Sequence, residues 1–323
     1  MNDHAVPTCS DYGSPFDFAD ADLVLRSSDG KNFHVHRIVL GLASTVIRDF
    51  PFELSRLPED THDGKPVFPL SSESSTAVAH FLQLVYPLPP PTFATLAEAH
   101  AVLEFGRKYG AEQVLRRVSD TLLAGPLLAT QPHGVYALAC GYEMAGPLIE
   151  RAARNAASRP LMQEKEPAVL GCISGHELFR LLEYRSACAD AALQVLDETR
   201  LRSPLLQKRT WAWIRCAEMP GYCPESTWFL SPLHGRPGNY GYVKEWWAEY
   251  MRNVRAAIKA GTNPVEALSN PTLQGAALVK AGACPTCRKT AASDMKVFVE
   301  LIKSEVEDRV SAVKCTPVKA GPA

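Results

Sequence analysis

A change of hydrophobic period inside the stretch Asp22–Phe50, DLVLRSSDGKNFHVHRIVLGLASTVIRDF, limits most what this chain can become. It opens with the apolar run Leu23-Val24-Leu25 and reaches Asp29-Gly30, a pair that supplies the positive φ angles of a tight hairpin turn. Phe33 and Val35 then alternate with His34 and His36, the period of a returning strand. Beyond His36 the spacing switches. Ile38, Val39, Leu42, Val46 and Ile47 recur at three- and four-residue intervals, which predicts a buried helix. A hairpin followed at once by a helix is therefore the expected nucleus of an N-terminal domain.

The remainder of that domain reads as short strands and helices. Residues 1–16 are expected to be disordered, and Pro51 to Pro66 is expected to be a loop. Val67-Phe68-Pro69-Leu70 predicts a short strand, with Pro69 placing it at a sheet edge. Val78, Phe81, Leu82 and Val85 give an amphipathic helix ended by Pro87. Thr95 and Glu98 have the spacing of a capping box for the next helix, which turns Leu96, Ala99, Val102 and Leu103 inward. Val114, Leu115, Val118 and Leu122 predict another, closed by Gly125-Pro126. Residues 17–125 thus read as one α+β domain.

The order of these residues resembles the BTB/POZ family. Members open with an Asp-led apolar strand and a hairpin, then carry the pattern F-x-x-H-[KR]-x-x-L-x-x-x-S. Here that segment is Phe33, His36-Arg37, Leu40 and Ser44, with Asp22-Leu23-Val24-Leu25 ahead of it and Phe50 behind. Later landmarks are echoed by Phe81-Leu82-Gln83-Leu84-Val85-Tyr86-Pro87 and by Gly106-Arg107-Lys108-Tyr109. The wider layout resembles fungal BTB proteins with long C-terminal regions. The resemblance implies a dimer that buries the first helix and exchanges N-terminal strand contacts. Carried over by position, Asp22 and Arg37 would form a charged pair at the dimer's central pocket, or a structural pair fixing the fold. Leu40, Val46, Ile47 and Phe50 would join the interface. Phe33, His36, Ser44 and Tyr109 would be core residues, His36 as a hydrogen-bonded buried histidine.

Residues 126–204 read as helical. Val135, Leu138, Ala139 and Tyr142 share one face, Gly146-Pro147 precedes a helix to Ser158, Leu178, Leu181 and Leu182 mark a third, and Leu193 and Leu196 a fourth. Helix pairs on short turns predict an extension packed on the first domain, in the position of the BACK region of some families. Residues 205–313 form a Trp- and Cys-containing helical module. Within it Val243, Trp246, Trp247, Tyr250, Met251, Val254 and Ile258 trace an amphipathic helix, with Gly261 as its C-cap. Its polar face mixes both charge signs, so the stripe reads as internal packing and not as a cationic membrane-surface helix. Met295, Phe298, Val299, Ile302, Val306 and Val310 predict a last long helix, and 314–323 a disordered tail.

Charge and cysteine usage set the remaining expectations. The net charge of -1 argues against a large basic footprint for nucleic acid. No apolar run approaches the ~18 residues a membrane span needs, and the N-terminus lacks a signal pattern. A cytoplasmic or nuclear protein is expected. Nine cysteines at scattered spacings read as reduced thiols. Cys284-Pro285-Thr286-Cys287 is different, because C-x-x-C is half of a tetrahedral zinc site. Cys216, Cys223, His234 and Cys188 are the candidates to complete it. Met219 stands where a second knuckle would need a cysteine. Three readings stay open: zinc on Cys216, Cys223, Cys284 and Cys287; reduced thiols at the start of the last helix; and a redox pair. No other cofactor is expected.

No phosphate loop, H-E-x-x-H or G-x-S-x-G motif occurs, and Glu305, Glu307 and Asp308 read as a solvated helix face. The expected function is protein–protein interaction without catalysis, through dimerisation with itself or another BTB chain. The alternatives are a substrate adaptor for a cullin-type ubiquitin ligase, docking near residues 112–150, and a nuclear regulator with a C-terminal zinc module.

Overall fold

The computed structural model describes residues 9–50, 61–144, 146–159, 167–198, 211–218, 223–230 and 241–315. They fall into two compact units. One comprises residues 1–152 and 164–174; the other comprises 153–163 and 175–323. The span 126–204, expected to be a single extension, is divided between them.

The N-terminal unit is built on a five-stranded sheet of order β1-β3-β2-β5-β4. These strands are β1 (Ser10–Asp11), β2 (Leu23–Arg26), β3 (Lys31–Val35), β4 (Thr61–His62) and β5 (Lys65–Pro69). The expected hairpin is β2–β3, antiparallel with Leu25 opposite Phe33. Its turn is wider than two residues. Ser27 N–H donates to the Lys31 carbonyl at 2.9 Å, and Gly30 alone among the turn residues has a positive φ, of 81°. Asp29 instead ties the turn to the start of a helix, its carboxylate accepting from Ser75 N–H at 2.9 Å and from Ser75 Oγ at 2.6 Å. β5 is not an edge strand as Pro69 suggested. It pairs parallel with β2 on one side and antiparallel with β4 on the other. Pro69 is its last residue, where a missing N–H interrupts little of the ladder.

After the hairpin come α1 (Arg37–Ala43) and α2 (Thr45–Arg48), not one helix. Ser44 breaks them. Its backbone is extended (φ -133°, ψ 122°), its N–H closes α1 on the Leu40 carbonyl, and its hydroxyl accepts from Ile47 N–H at 3.1 Å to cap α2. The same hydroxyl donates to the Tyr109 carbonyl at 2.5 Å, so the break is anchored in the core. α3 (Ser75–Val85), α4 (Leu96–Lys108) and α5 (Glu112–Ala124) follow. Thr95 and Glu98 make the expected box, with the return bond coming from Ala94 N–H.

α6 (Leu127–Thr130) and α7 (Pro132–Gly141) complete this unit's regular core. α7 is buried at nine of ten positions, so the one-faced helix expected there is instead enclosed. α8 (Gly146–Ala157) and α9 (Pro167–Leu170) come next. The third and fourth expected helices are one continuous α10 (Gly175–Glu198).

The C-terminal unit contains α10, α11 (Ala212–Arg215), a two-stranded ribbon of β6 (Glu225–Leu230) and β7 (Gly241–Lys244), α12 (Glu245–Lys259), α13 (Pro264–Ser269), α14 (Pro271–Gly282) and α15 (Ala291–Ser311). Val243 lies in β7 and the rest of the Trp/Tyr stripe in α12, which buries Trp246, Trp247, Tyr250, Met251, Val254 and Ile258. Gly261 takes a φ of 95° just past the cap, as expected. Two Asn-Pro pairs start helices: Asn263 accepts from Val265 and Glu266 N–H, and Asn270 from Thr272 and Leu273 N–H. The core centres on Trp213, stacked between Trp211 (5.0 Å) and Trp247 (5.2 Å), with Phe298 edge-on at 5.4 Å. Residues 1–8, 51–60 and 316–323 lie outside the described residues. Residues 9–16, expected to be disordered, instead form β1 and bury Phe16 completely, and the expected loop to Pro66 contains β4 and the start of β5.

Candidate functional site

Within α1 and within α2, on either side of the Ser44 break, the apolar positions divide between a buried and an exposed side. Leu40 and Ile47 are fully buried in their own unit. Ile38, Leu42 and Val46, spaced four apart, are 73%, 81% and 43% exposed. Leu40 and Ile47, expected at an interface, are therefore core residues. Phe50 also turns inward, edge-on to Phe68 at 4.8 Å. Of the interface candidates, Val46 alone combines apolar character with exposure, and its two neighbours Ile38 and Leu42 were not among those candidates. Periodicity missed them because a helix apolar on both sides looks like a buried one.

The charged candidates border this face. Asp22 is exposed, and its carboxylate accepts the Arg37 backbone N–H at 2.7 Å at the first turn of α1. The pair is therefore not a buried one, and this contact runs through the Arg37 main chain. His36 is part-exposed. Its Nδ1 lies 3.1 Å from the Tyr86 hydroxyl and its Nε2 3.2 Å from Asp20, so its partners are side chains and not the backbone. Phe33, Ser44 and Tyr109 are buried. In the segment before Asp22, β1 runs parallel to β3, and Asp11 Oδ1 stands 3.2 Å from both His34 Nε2 and His62 Nε2.

The domain also contains a polar node that no local sequence signal marks. Glu73, almost fully buried, accepts from Lys108 Nζ at 2.6 Å, Ser72 Oγ at 2.7 Å and the Tyr109 hydroxyl at 3.4 Å. Burial works against its charge, but the Lys108 ammonium and the Ser72 contacts outweigh it and hold the carboxyl below its ordinary 4.5. A lowered folded-state value means the stabilisation is complete above the unfolded value and lost as pH falls through the folded one. Glu73→Gln is expected to cost about 1–2 kcal/mol at neutral pH, modest because the half-exposed Lys108 is screened by solvent. Denaturant unfolding of wild type and variant should converge between about pH 5 and 3. A constant difference across that range would exclude the ion pair as the cause.

A second cluster lies in the C-terminal unit. Cys216 follows α11, Cys223 precedes β6, and Cys284 and Cys287 flank the turn after α14. All four are buried, and their sulfurs all lie within 4.8 Å of one another. Burial and the neighbouring thiols push Cys223 up, and burial carries Cys287 to about 12. For Cys284 burial also works upward, but the N–H groups of Cys287 and Thr286 and the adjoining thiols reverse it, leaving this thiol below its ordinary value. Cys188 lies outside the cluster; His234 and Met219 lie outside the described residues.

Compared with known proteins, the chain matches one family model, described as BTB/POZ domain, over residues 16–125. No curated protein matches it.

Proposed function

From a BTB/POZ domain at residues 16–125, a module of protein–protein interaction, we propose that this chain self-associates through the outer face of α1 and α2. The observation that supports this is the apolar row Ile38, Leu42 and Val46. Three of the seven large apolar side chains left exposed among the described residues fall within nine positions of sequence. A second copy is the occupant that needs no other complementary surface. Two such rows packed about a two-fold axis form an isologous contact, in which each row covers the other. Charges of both signs sit at the two ends of this stretch: Asp22 accepts the Arg37 N–H at the start of α1, and Arg48 pairs with Asp49 at the end of α2.

This placement revises the expected interface. The core residues Leu40 and Ile47 hold the helices in position, and Ile38 and Leu42 take their place in the contact. The adaptor alternative has less support: α7, inside the stretch expected to meet a cullin, is enclosed within its own unit. Light scattering coupled to size-exclusion chromatography of the full chain tests the proposal. A two-chain mass at tens of micromolar, falling on dilution, is expected. A single-chain mass at every concentration would remove self-association as the use of this face.

A further inference from the structure

The four buried cysteines of the C-terminal unit have a geometry that thiols packed as core filler do not need. Cys216 Sγ lies 3.6 Å from Cys284 Sγ, and Cys223 Sγ lies 3.7 Å from Cys287 Sγ. A tetrahedral zinc with Zn–S bonds of about 2.3 Å sets its sulfurs about 3.8 Å apart, close to both values. The separations are far beyond the roughly 2.05 Å of a disulfide. An iron–sulfur cluster, with its own sulfides inside, would spread four thiolates wider than the 4.8 Å that contains these.

The surroundings suit the charge of such a centre. Cys287 N–H points to Cys284 Sγ at 3.4 Å, so the C-x-x-C turn already folds its backbone onto sulfur. Trp246 is buried, and its indole nitrogen has no partner among the described nitrogen and oxygen atoms. Lys244, almost fully buried at the end of β7, holds its ammonium 3.4 Å from the Cys223 carbonyl and 3.0 Å from Glu225. Its contact to Cys223 is through that residue's main chain, so the Lys244–Glu225 pair fixes the backbone beside the cluster.

We infer that Cys216, Cys223, Cys284 and Cys287 hold one zinc ion as a closed structural site. Four protein sulfurs leave no open position for water or substrate, so the ion ties chain segments together and performs no chemistry. Binding releases the thiol protons as the four thiolates form. The ion links α11 and the entry to β6 with the turn between α14 and α15, more than sixty residues further along the chain, beside the Trp213 stack.

Metal analysis of the full chain, purified under reducing conditions without added chelator, tests this. About one equivalent of zinc per chain is expected. Cys223→Ala and Cys287→Ala should lose it, and Cys188→Ala, which removes a buried cysteine outside the cluster, should keep it. Should the cluster variants fail to fold, the wild type still decides. After zinc removal, titration with cobalt(II) alone should produce the strong thiolate-to-metal charge-transfer and visible bands of a tetrahedral four-sulfur site. A folded chain that contains no zinc and gives no such bands would overturn the inference. So would zinc retained in Cys223→Ala, or recovery of these cysteines as disulfides.

Discussion

Leu42→Asp is expected to turn the two-chain species into single chains without weakening the fold. Leu42 is 81% exposed on the isolated chain, so the substitution disturbs little inside its own unit. Unfolding should shift by no more than about 0.5 kcal/mol. In the proposed contact the same side chain occurs twice. Each copy loses about 2 kcal/mol of apolar burial, and the two new carboxylates approach across the axis. A penalty of about 4 kcal/mol corresponds to a loss on the order of a thousand-fold in dimer affinity. Light scattering over a dilution series reads it directly, and Ile38→Asp should behave alike. Leu40→Ala is the contrast: it should destabilise the chain by about 2–5 kcal/mol, because Leu40 is fully buried. An unchanged mass profile for Leu42→Asp, with wild-type dimers present, would show that the dimer uses another surface.

Trp213→Ala is expected to have the largest effect on stability. Its ring is stacked on both faces, by Trp211 and Trp247, and Phe298 meets it edge-on. Removing it leaves a cavity the size of an indole that these rigid neighbours cannot fill. A loss of about 3–5 kcal/mol from the C-terminal unit is expected, measured by denaturant unfolding with near-ultraviolet circular dichroism, to which stacked indoles contribute. Trp213→Phe should recover part of it by restoring one ring of the stack. A shift below about 1 kcal/mol would mean that this core is centred elsewhere.

Much of the N-terminal domain was legible because its signals are local. The β2–β3 hairpin, the Thr95–Glu98 box, the stop at Pro87 and the Gly125-Pro126 closure each depend on residues within one turn or one strand pair. The break at Ser44 was not legible. It depends on a hydrogen bond to Tyr109, sixty-five residues away. The same holds for Asp29, whose partner Ser75 starts α3, and for the Glu73–Lys108 node. The starts of α13 and α14 could have been found, since Asn263-Pro264 and Asn270-Pro271 both place a capping side chain before a proline that begins a helix well. The merging of two expected helices into α10 could not, because nothing between Leu182 and Leu193 separates one long helix from two.

By itself the amino-acid order determined that residues 22–50 make a hairpin and then helix, and that Cys284 and Cys287 share a tight turn. Both follow from the spacing of neighbours along the chain. Tertiary structure alone decided that the helical stretch breaks at Ser44 and which sides of α1 and α2 meet the core, leaving Ile38, Leu42 and Val46 outside. It alone decided that Cys216 and Cys223 come to stand against the C-x-x-C turn. The physical reason is the same in both cases. Periodicity records that a residue is apolar, and spacing records what lies within a few positions, but the atoms a side chain finally touches are supplied by segments distant in the chain, and only packing chooses among them.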